Sequence, residues 1–89
     1  MLVAIYQKRF EKDVRKAKKR SNDMDKLKNI ILKILEGESL PEKNRNHKLK
    51  GKFEGYWECH IEPDWLLIYK KTSETIIFVR TGTHTDLFR

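Results

Sequence analysis

The sequence is poor in residues and segments on which several classes of protein depend. Its 89 residues include one cysteine, Cys59, so no disulfide can form within the chain, and one thiol is too few for a cysteine-based zinc site. No apolar run approaches the roughly 20 residues that cross a bilayer, and the N-terminal segment is charged rather than signal-like. We therefore expect a soluble, cytoplasmic protein without membrane association.

Glycine and proline are also scarce, at four and two residues, and no internal repeat, low-complexity segment or linker interrupts the chain. A chain of this length makes one small domain, here residues 1–89. Its apolar fraction of 38% supports one thin core, so a large enclosed substrate cavity is not expected.

Acidic residues are outnumbered, because 13 Asp and Glu stand against 20 Lys and Arg for a formal net charge of +7. The excess is local: residues 8–20 carry eight basic and two acidic side chains, and residues 43–52 carry five basic and no acidic ones. Both stretches suit a polyanionic partner, either nucleic acid phosphate or an acidic protein. For residues 8–20 the alternative is a solvated helix face.

The first half of the chain predicts one strand and two helices. Residues 2–6 are apolar and form a segment of strand length. From residue 7 to residue 19 the apolar side chains follow one helical face. Residues 21–23 offer N-capping side chains for a second helix, which Gly37 ends. We expect a helix hairpin whose two apolar stripes cover a flat surface.

The second half predicts an antiparallel meander. Residues 38–54 are mostly polar and indicate a loop with a single turn. From residue 56 the pattern alternates, so Trp57, Cys59 and Ile61 face one side of a strand. Two further strands are expected, at 65–69 and 75–81, and then a short C-terminal turn or helix.

Together these elements predict an α+β fold in which an N-terminal strand and a two-helix hairpin pack on one face of an antiparallel β-sheet. The other face is expected to be open. A basic rim around an exposed sheet face suits a ribbon of nucleic acid.

All three histidines lie in the second half: His47 in the basic loop, His60 in a strand and His84 beyond the last strand. Asp64 occupies the turn after His60. In a meander the end of one strand, the turn that follows and the exit of the last strand can meet at one edge, so these side chains can converge. Taken singly, each also has an ordinary role in solvation or turn structure.

Histidines in a basic surface have the chemistry for RNA cleavage by its own 2′-hydroxyl. A base removes the hydroxyl proton, an acid protonates the departing 5′-oxygen, and cations stabilise the phosphorane. This reaction needs no cofactor. A zinc site built from His47, His60, His84 and Asp64 is the alternative, but gaps of 13 and 24 residues between the histidines match no familiar ligand spacing.

Three motifs carry a resemblance to a known family: NHKLKG at residues 46–51, HIEPDW at 60–65 and RTGTH at 80–84. In this order they closely resemble the YafQ group of the RelE superfamily, the toxins of prokaryotic toxin–antitoxin pairs. The similarity extends over nearly the whole chain. It implies a ribosome-dependent mRNA endoribonuclease. A cognate antitoxin, expected to be acidic, would silence the toxin and link it to operator DNA.

The resemblance also implies roles for individual residues. The family's catalytic positions match His47, His60, Asp64 and His84. His84 matches the proton donor, and the other three would share the base and charge-orienting roles. Metal ligands are not expected.

Substrate contacts are implied for a second set of residues. Arg80 matches a position suited to the scissile phosphate, with an ordinary surface role as the alternative. Trp65 and Phe88 match supporting aromatic positions, and for Trp65 packing in the core is the alternative to stacking on a base. The basic loop would contact RNA through Lys48, Lys50 and Lys52. The sequence departs from the family at residues 57–59, which puts any transfer of codon preference in doubt.

A second class of function fits the same charge. A non-catalytic basic module of this fold would bind nucleic acid or a protein and use its histidines only as polar groups. The histidine set with Asp64 favours the nuclease, and a direct measurement of RNA cutting separates the two hypotheses.

Overall fold

The chain folds into a five-stranded sheet with two long helices packed on one face. The computed structural model describes residues 1–88. Its strands are β1 (Val3–Tyr6), β2 (His47–Lys48), β3 (Tyr56–Glu62), β4 (Trp65–Lys71) and β5 (Thr75–Gly82), and its helices are α1 (Lys8–Lys19), α2 (Met24–Leu35) and α3 (His84–Phe88). Within these residues no helix is long and apolar enough to cross a membrane. The predicted α+β fold is confirmed.

The ends of α2 are set by the residues that the sequence pattern indicates. Asp23 is its N-cap, and the Asp23 carboxylate accepts the backbone N–H of Asp25 at 3.0 Å. Past the other end, Gly37 has a φ of +74°, which glycine adopts at little cost. The N–H of Gly37 donates to the carbonyl of Ile34 and closes the last turn.

The strand order of the sheet is β1-β5-β4-β3-β2. Strands β3, β4 and β5 form the antiparallel meander that the sequence predicts. Strand β1 instead pairs with β5 in parallel, from Val3 opposite Thr75 to Tyr6 opposite Phe78. This edge differs from the antiparallel expectation, because an apolar run of four residues does not encode the direction of its partner.

The segment predicted as a loop with a single turn at 38–54 contains more structure than expected. Single turns of 3₁₀ helix lie at Glu42–Asn44 and Gly51–Phe53, and between them β2 pairs with β3. In this pairing His47 lies opposite Glu58. A strand of two residues is too short to show an alternating pattern, which is why the sequence did not reveal it.

The core lies between the helices and the sheet. Trp57, Cys59 and Ile61 face it together, as predicted, with Cys59 completely buried. The opposite face of the sheet is less open than expected, because Leu66 and Ile68 lie outside the main core yet are 0% and 3% exposed. This second face carries the residues of the candidate site.

We predict that Phe78→Ala lowers the free energy of unfolding by about 3–5 kcal/mol. The side chain is fully buried among the rings of Tyr6, Phe10 and Tyr69. Urea denaturation followed by circular dichroism measures the change. Leu32→Ala is the control, because Leu32 is 45% exposed, and its effect should be about 0.5 kcal/mol or less. Equal losses for the two variants would contradict this description of the core.

Candidate active site

One end of the sheet, where β3 and β5 end and β4 begins, brings together the residues that the sequence analysis proposed for catalysis. His60 lies near the end of β3, Asp64 in the turn between β3 and β4, and His84 at the start of α3, directly after β5. The rings of His60 and His84 are 5.7 Å apart between centroids. The antiparallel meander therefore produces the convergence expected from the chain order.

A β-bulge at the end of β3 shapes this end of the sheet. The register shifts between the pair His60 with Leu66 and the pair Glu62 with Trp65. Such bulges re-aim side chains and are frequent beside active sites. Past the bulge, Glu62 forms an ion pair with Lys26 of α2 at 2.8 Å, whereas His60 remains on the face that Leu66 occupies.

Asp64 holds His84 through two contacts. Its Oδ1 accepts the backbone N–H of His84 at 2.9 Å and lies 2.6 Å from Nδ1 of the imidazole. The backbone N–H first, and the ring second, hold the pKa of the Asp64 carboxyl below its usual value. An ionised carboxylate only accepts hydrogen bonds, so Nδ1 of His84 carries a proton and Nε2 is the nitrogen left for exchange with a substrate.

Glu58 joins the other two histidines and was not proposed as a site residue from the sequence. It is 6% exposed, and its Oε1 lies 3.6 Å from Nε2 of His47 and 3.6 Å from Nε2 of His60. The strand alternation already placed Glu58 on the same face as His60. The sequence pattern did not predict β2, the strand that pairs with β3 and places His47 opposite Glu58.

The second ring nitrogens of these histidines are bound to backbone carbonyls. Nδ1 of His47 lies 2.7 Å from the carbonyl oxygen of Arg45, and Nδ1 of His60 lies 3.3 Å from that of Pro63. A carbonyl only accepts, so both Nδ1 atoms carry hydrogen. Both Nε2 atoms face Glu58. The four residues expected to be catalytic thus form one connected group with Glu58 at its buried end.

Arg80 is bound by a carboxylate of α1. Its Nε donates to Oδ2 of Asp13 at 2.6 Å and its Nη2 to Oδ1 at 3.3 Å. The same Oδ2 accepts the N–H of Thr81 at 3.2 Å, beyond the point where β1 stops pairing with β5. Arg80 is therefore a fixed cation with a buried partner, which the sequence pattern did not indicate.

The two aromatic candidates have different surroundings. Trp65 is 3% exposed in the core, and its Nε1 donates to Oγ1 of Thr81 at 3.0 Å. This burial favours packing, the alternative left open for Trp65, over a contact with substrate. Phe88 is 42% exposed and makes an edge-to-face contact with Phe53 at 5.4 Å between centroids, so part of its ring remains exposed to solvent.

The basic loop candidates are exposed. Nζ of Lys48 lies 5.5 Å from the ring centroid of Trp57, a cation–π contact on the side of β2 away from His47. Lys50 and Lys52 follow, and both are exposed. Lys48 is thus partly engaged by an aromatic ring, and Lys50 and Lys52 present their charges to solvent.

Neither a metal centre nor a thiol nucleophile emerges from the geometry. In residues 1–88, no group of three or more His, Cys, Asp or Glu side chains is arranged to hold a metal ion. Burial, with a smaller contribution from Glu58, raises the pKa of the Cys59 thiol to about 12. The imidazoles and carboxylates gathered here have the chemistry for proton transfer.

Comparison with known proteins identifies the family. The family model for YafQ, described as a bacterial toxin of a type II toxin-antitoxin system, matches residues 3–89. The chain belongs to the YafQ toxin family. The mRNA interferase toxin YafQ of Escherichia coli strain K12 is 44% identical over 84 residues, which is 93% of this chain and 91% of the relative.

Solved structures of bacterial toxins have the same fold. The crystal structure of the E. coli DinJ-YafQ toxin-antitoxin complex matches with a TM-score of 0.92 at 42% identity, covering 99% of this chain and 98% of that chain. A metal-bound toxin from Helicobacter pylori matches with a TM-score of 0.92 at 36% identity, covering 99% and 100%. The resemblance to YafQ toxins seen in the sequence is confirmed.

We predict that Cys59 of the native YafQ-family toxin is not alkylated by iodoacetamide at pH 8. A thiol with a pKa of about 12 has almost no thiolate at that pH, and the side chain is 0% exposed. Mass spectrometry after timed incubation measures the modification. The same protein in guanidinium chloride, the control, should be modified completely. Rapid alkylation of the native protein would show that β3 is not packed as described.

Proposed function

We propose that this YafQ-family toxin is a ribosome-dependent mRNA endoribonuclease that cleaves by attack of the 2′-hydroxyl on the adjacent phosphate. The observation that carries the proposal is the connected group of three histidines and two carboxylates at one end of the sheet. The mRNA interferase name of the E. coli relative supports it. The cytoplasm, where ribosomes and mRNA are found, is the expected site of action.

His84 is assigned the role of general acid. Asp64 fixes its orientation and keeps the proton of Nδ1 in place, so Nε2 is the atom that delivers a proton to the departing 5′-oxygen. Asp64 thus orients His84 and does not itself meet the substrate in this scheme.

The general base is one of the two histidines beside Glu58, His47 or His60. The Nε2 atoms of His47 and His60 both face that carboxylate, and either nitrogen can take the 2′-hydroxyl proton when a nucleotide enters. Glu58, which is 6% exposed, lies beside the imidazole that takes the proton. This arrangement supplies a base and an acid on neighbouring elements without a bound cofactor.

Basic side chains are assigned to stabilising the phosphorane and to binding RNA. Arg80 contributes from a fixed position on Asp13, and Lys50 and Lys52 extend the positive potential along the chain before β3. The exposed part of the Phe88 ring offers a stacking surface for a base. Lys48 belongs to the same stretch of positive charge. Ribosomal RNA and mRNA are the expected polyanions.

We predict that His84→Ala reduces mRNA cleavage by 10²-fold to 10⁴-fold, the usual contribution of one positioned proton-transfer residue. The side chain is 54% exposed, so the fold should be retained. Cleavage of a ribosome-bound message at saturating ribosome concentration measures the effect. Thr85→Ala is the matched control, because Thr85 is an exposed neighbour on α3. Wild-type cleavage by His84→Ala would remove this histidine from the mechanism.

We predict that the activity survives removal of metal ions from the toxin. The toxin is treated with EDTA, separated from the chelator and added to ribosomes in their usual magnesium buffer, so that the ribosome keeps its own requirement. The histidine scheme needs no toxin-bound metal. Because an H. pylori toxin of this fold is metal-bound, loss of activity after EDTA with recovery on adding zinc or copper would favour a metal mechanism.

We predict that the partner of this toxin is an acidic antitoxin encoded beside it. The structure of the DinJ-YafQ complex supports a protein partner, and the net charge of +7 favours capture by an acidic chain. Operator DNA is expected to be reached only through that antitoxin. Co-expression with the neighbouring reading frame should relieve growth arrest and copurify both chains. If the neighbouring product neither relieves growth arrest nor copurifies with the toxin, the antitoxin assignment is wrong, even if the toxin cleaves mRNA.

A further inference from the structure

The helix that carries His84 is too short to hold itself in place. Helix α3 has five residues, His84–Phe88, and an isolated helix of that length is not stable in water. His84 is its first residue and is more than half exposed. The geometry of the imidazole therefore depends on what fixes this segment to the rest of the protein.

Asp86 fixes the start of α3 through a capping box. The backbone N–H of Thr83 donates to Oδ2 of Asp86 at 3.0 Å, and the backbone N–H of Asp86 donates to Oγ1 of Thr83 at 3.0 Å. These reciprocal bonds satisfy two donors at the N-terminus of a helix. They enclose His84, which lies between the two bonded residues.

Asp86 also fastens α3 to α1. Its carboxylate receives Nη1 of Arg20 at 2.6 Å, Nη2 of Arg20 at 3.2 Å and Nζ of Lys16 at 3.3 Å. The Asp86 side chain is 14% exposed. The Arg20 hydrogen bonds, above all other causes, hold the pKa of Asp86 well below its usual range, so the tether is charged at neutral pH.

Gly82, at the end of β5, has no Cβ atom and so leaves room for the Asp86 carboxylate. A Cβ atom placed on Gly82 would lie 2.9 Å from Oδ2 and 3.0 Å from Cβ of Asp86. Real Cβ atoms essentially never approach another atom as closely as 2.9 Å, so a side chain at residue 82 would require the Asp86 side chain to shift. The glycine of the RTGTH motif thus leaves the Asp86 side chain in place.

We propose that Asp86 is a positioning residue for catalysis, which places His84 against Asp64 by tying the first turn of α3 to Arg20 and Lys16. Its kinetic consequence rests on the proposed nuclease function, whereas its structural consequence does not. Asp86 reaches the reaction only through His84. Loss of the tether therefore lowers the rate of the chemical step and leaves binding of the ribosome unchanged.

Two measurements on the same variants test the proposal. The first is the ¹⁵N spectrum of the His84 imidazole, assigned by its loss in His84→Ala. In the wild-type protein the neutral ring should carry hydrogen on Nδ1, held by Asp64. In Asp86→Ala it should shift towards the Nε2–H form that an unrestrained imidazole prefers. The second is single-turnover cleavage at saturating ribosome concentration, which should fall at least tenfold with the ribosome dissociation constant changed less than twofold.

The variants separate positioning from a general loss of structure. Asp86→Glu keeps both the cap acceptor and the charge and should retain the wild-type spectrum and most of the rate. Arg20→Gln breaks the same tether from α1 without touching α3, and should reproduce part of both effects. Thr85→Ala should alter neither measurement. If Asp86→Ala does not fold, Arg20→Gln decides the outcome.

An unchanged His84 spectrum in both Asp86→Ala and Arg20→Gln would overturn the proposal. A changed spectrum with wild-type cleavage would also overturn it, because placement of His84 by Asp86 would then have no effect on the chemistry. If the wild-type toxin itself cuts no RNA, the nuclease assignment fails, and the spectrum still decides whether Asp86 places His84.

Discussion

Strand β3 is held on both edges and both faces, and the rest of the site depends on this constraint. One edge pairs with β4 and the other with β2, and the latter pairing brings His47 to Glu58. On the face towards the helices, Cys59 is buried in the core, so the strand cannot rotate or slip by one residue without exposing it. The opposite face must then present Glu58 and His60 side by side.

Carboxylates hold the functional elements of this basic protein in place. Glu58 lies between two imidazoles, Asp64 binds His84, Asp13 binds Arg80 and Asp86 binds Arg20. In each case the acidic group contacts a residue that is cationic or becomes cationic when it takes a proton. Each of these contacts offsets part of the repulsion among the cations of a chain whose net charge is +7. The acidic groups thus orient positive charge at this end of the sheet and leave the outer surface basic.

Much of the architecture follows from local patterns in the sequence. Apolar spacing placed both long helices and the three strands of the meander, and the chain order placed His60, Asp64 and His84 at one end of the sheet. The parallel pairing of β1 and the two-residue strand β2 could not be predicted from local patterns, because both depend on tertiary partners rather than on periodicity. The resemblance to YafQ toxins indicated which of the converging side chains to consider together.

The roles of single residues were harder to predict than the fold. The sequence pattern alone does not indicate Glu58, because a glutamate in an alternating strand is ordinarily solvent-facing, whereas here it lies beside two histidines. Trp65 was open to two interpretations until its 3% exposure and its bond to Thr81 favoured packing. Arg80 and Asp86 depend on α1 side chains more than 60 residues away in sequence, and no local pattern reports such contacts.

The chemical nature of the RNA ends produced by the toxin tests the central claim most directly. Attack by the 2′-hydroxyl, with imidazoles as base and acid, leaves a 2′,3′-cyclic phosphate on the upstream fragment and a 5′-hydroxyl on the downstream fragment. Mass spectrometry of a short message cleaved on the ribosome distinguishes these ends. The account predicts the cyclic phosphate at the earliest time points. A 3′-hydroxyl paired with a 5′-phosphate would show that water, and not the 2′-hydroxyl, is the nucleophile, and would contradict the mechanism assigned to this histidine group.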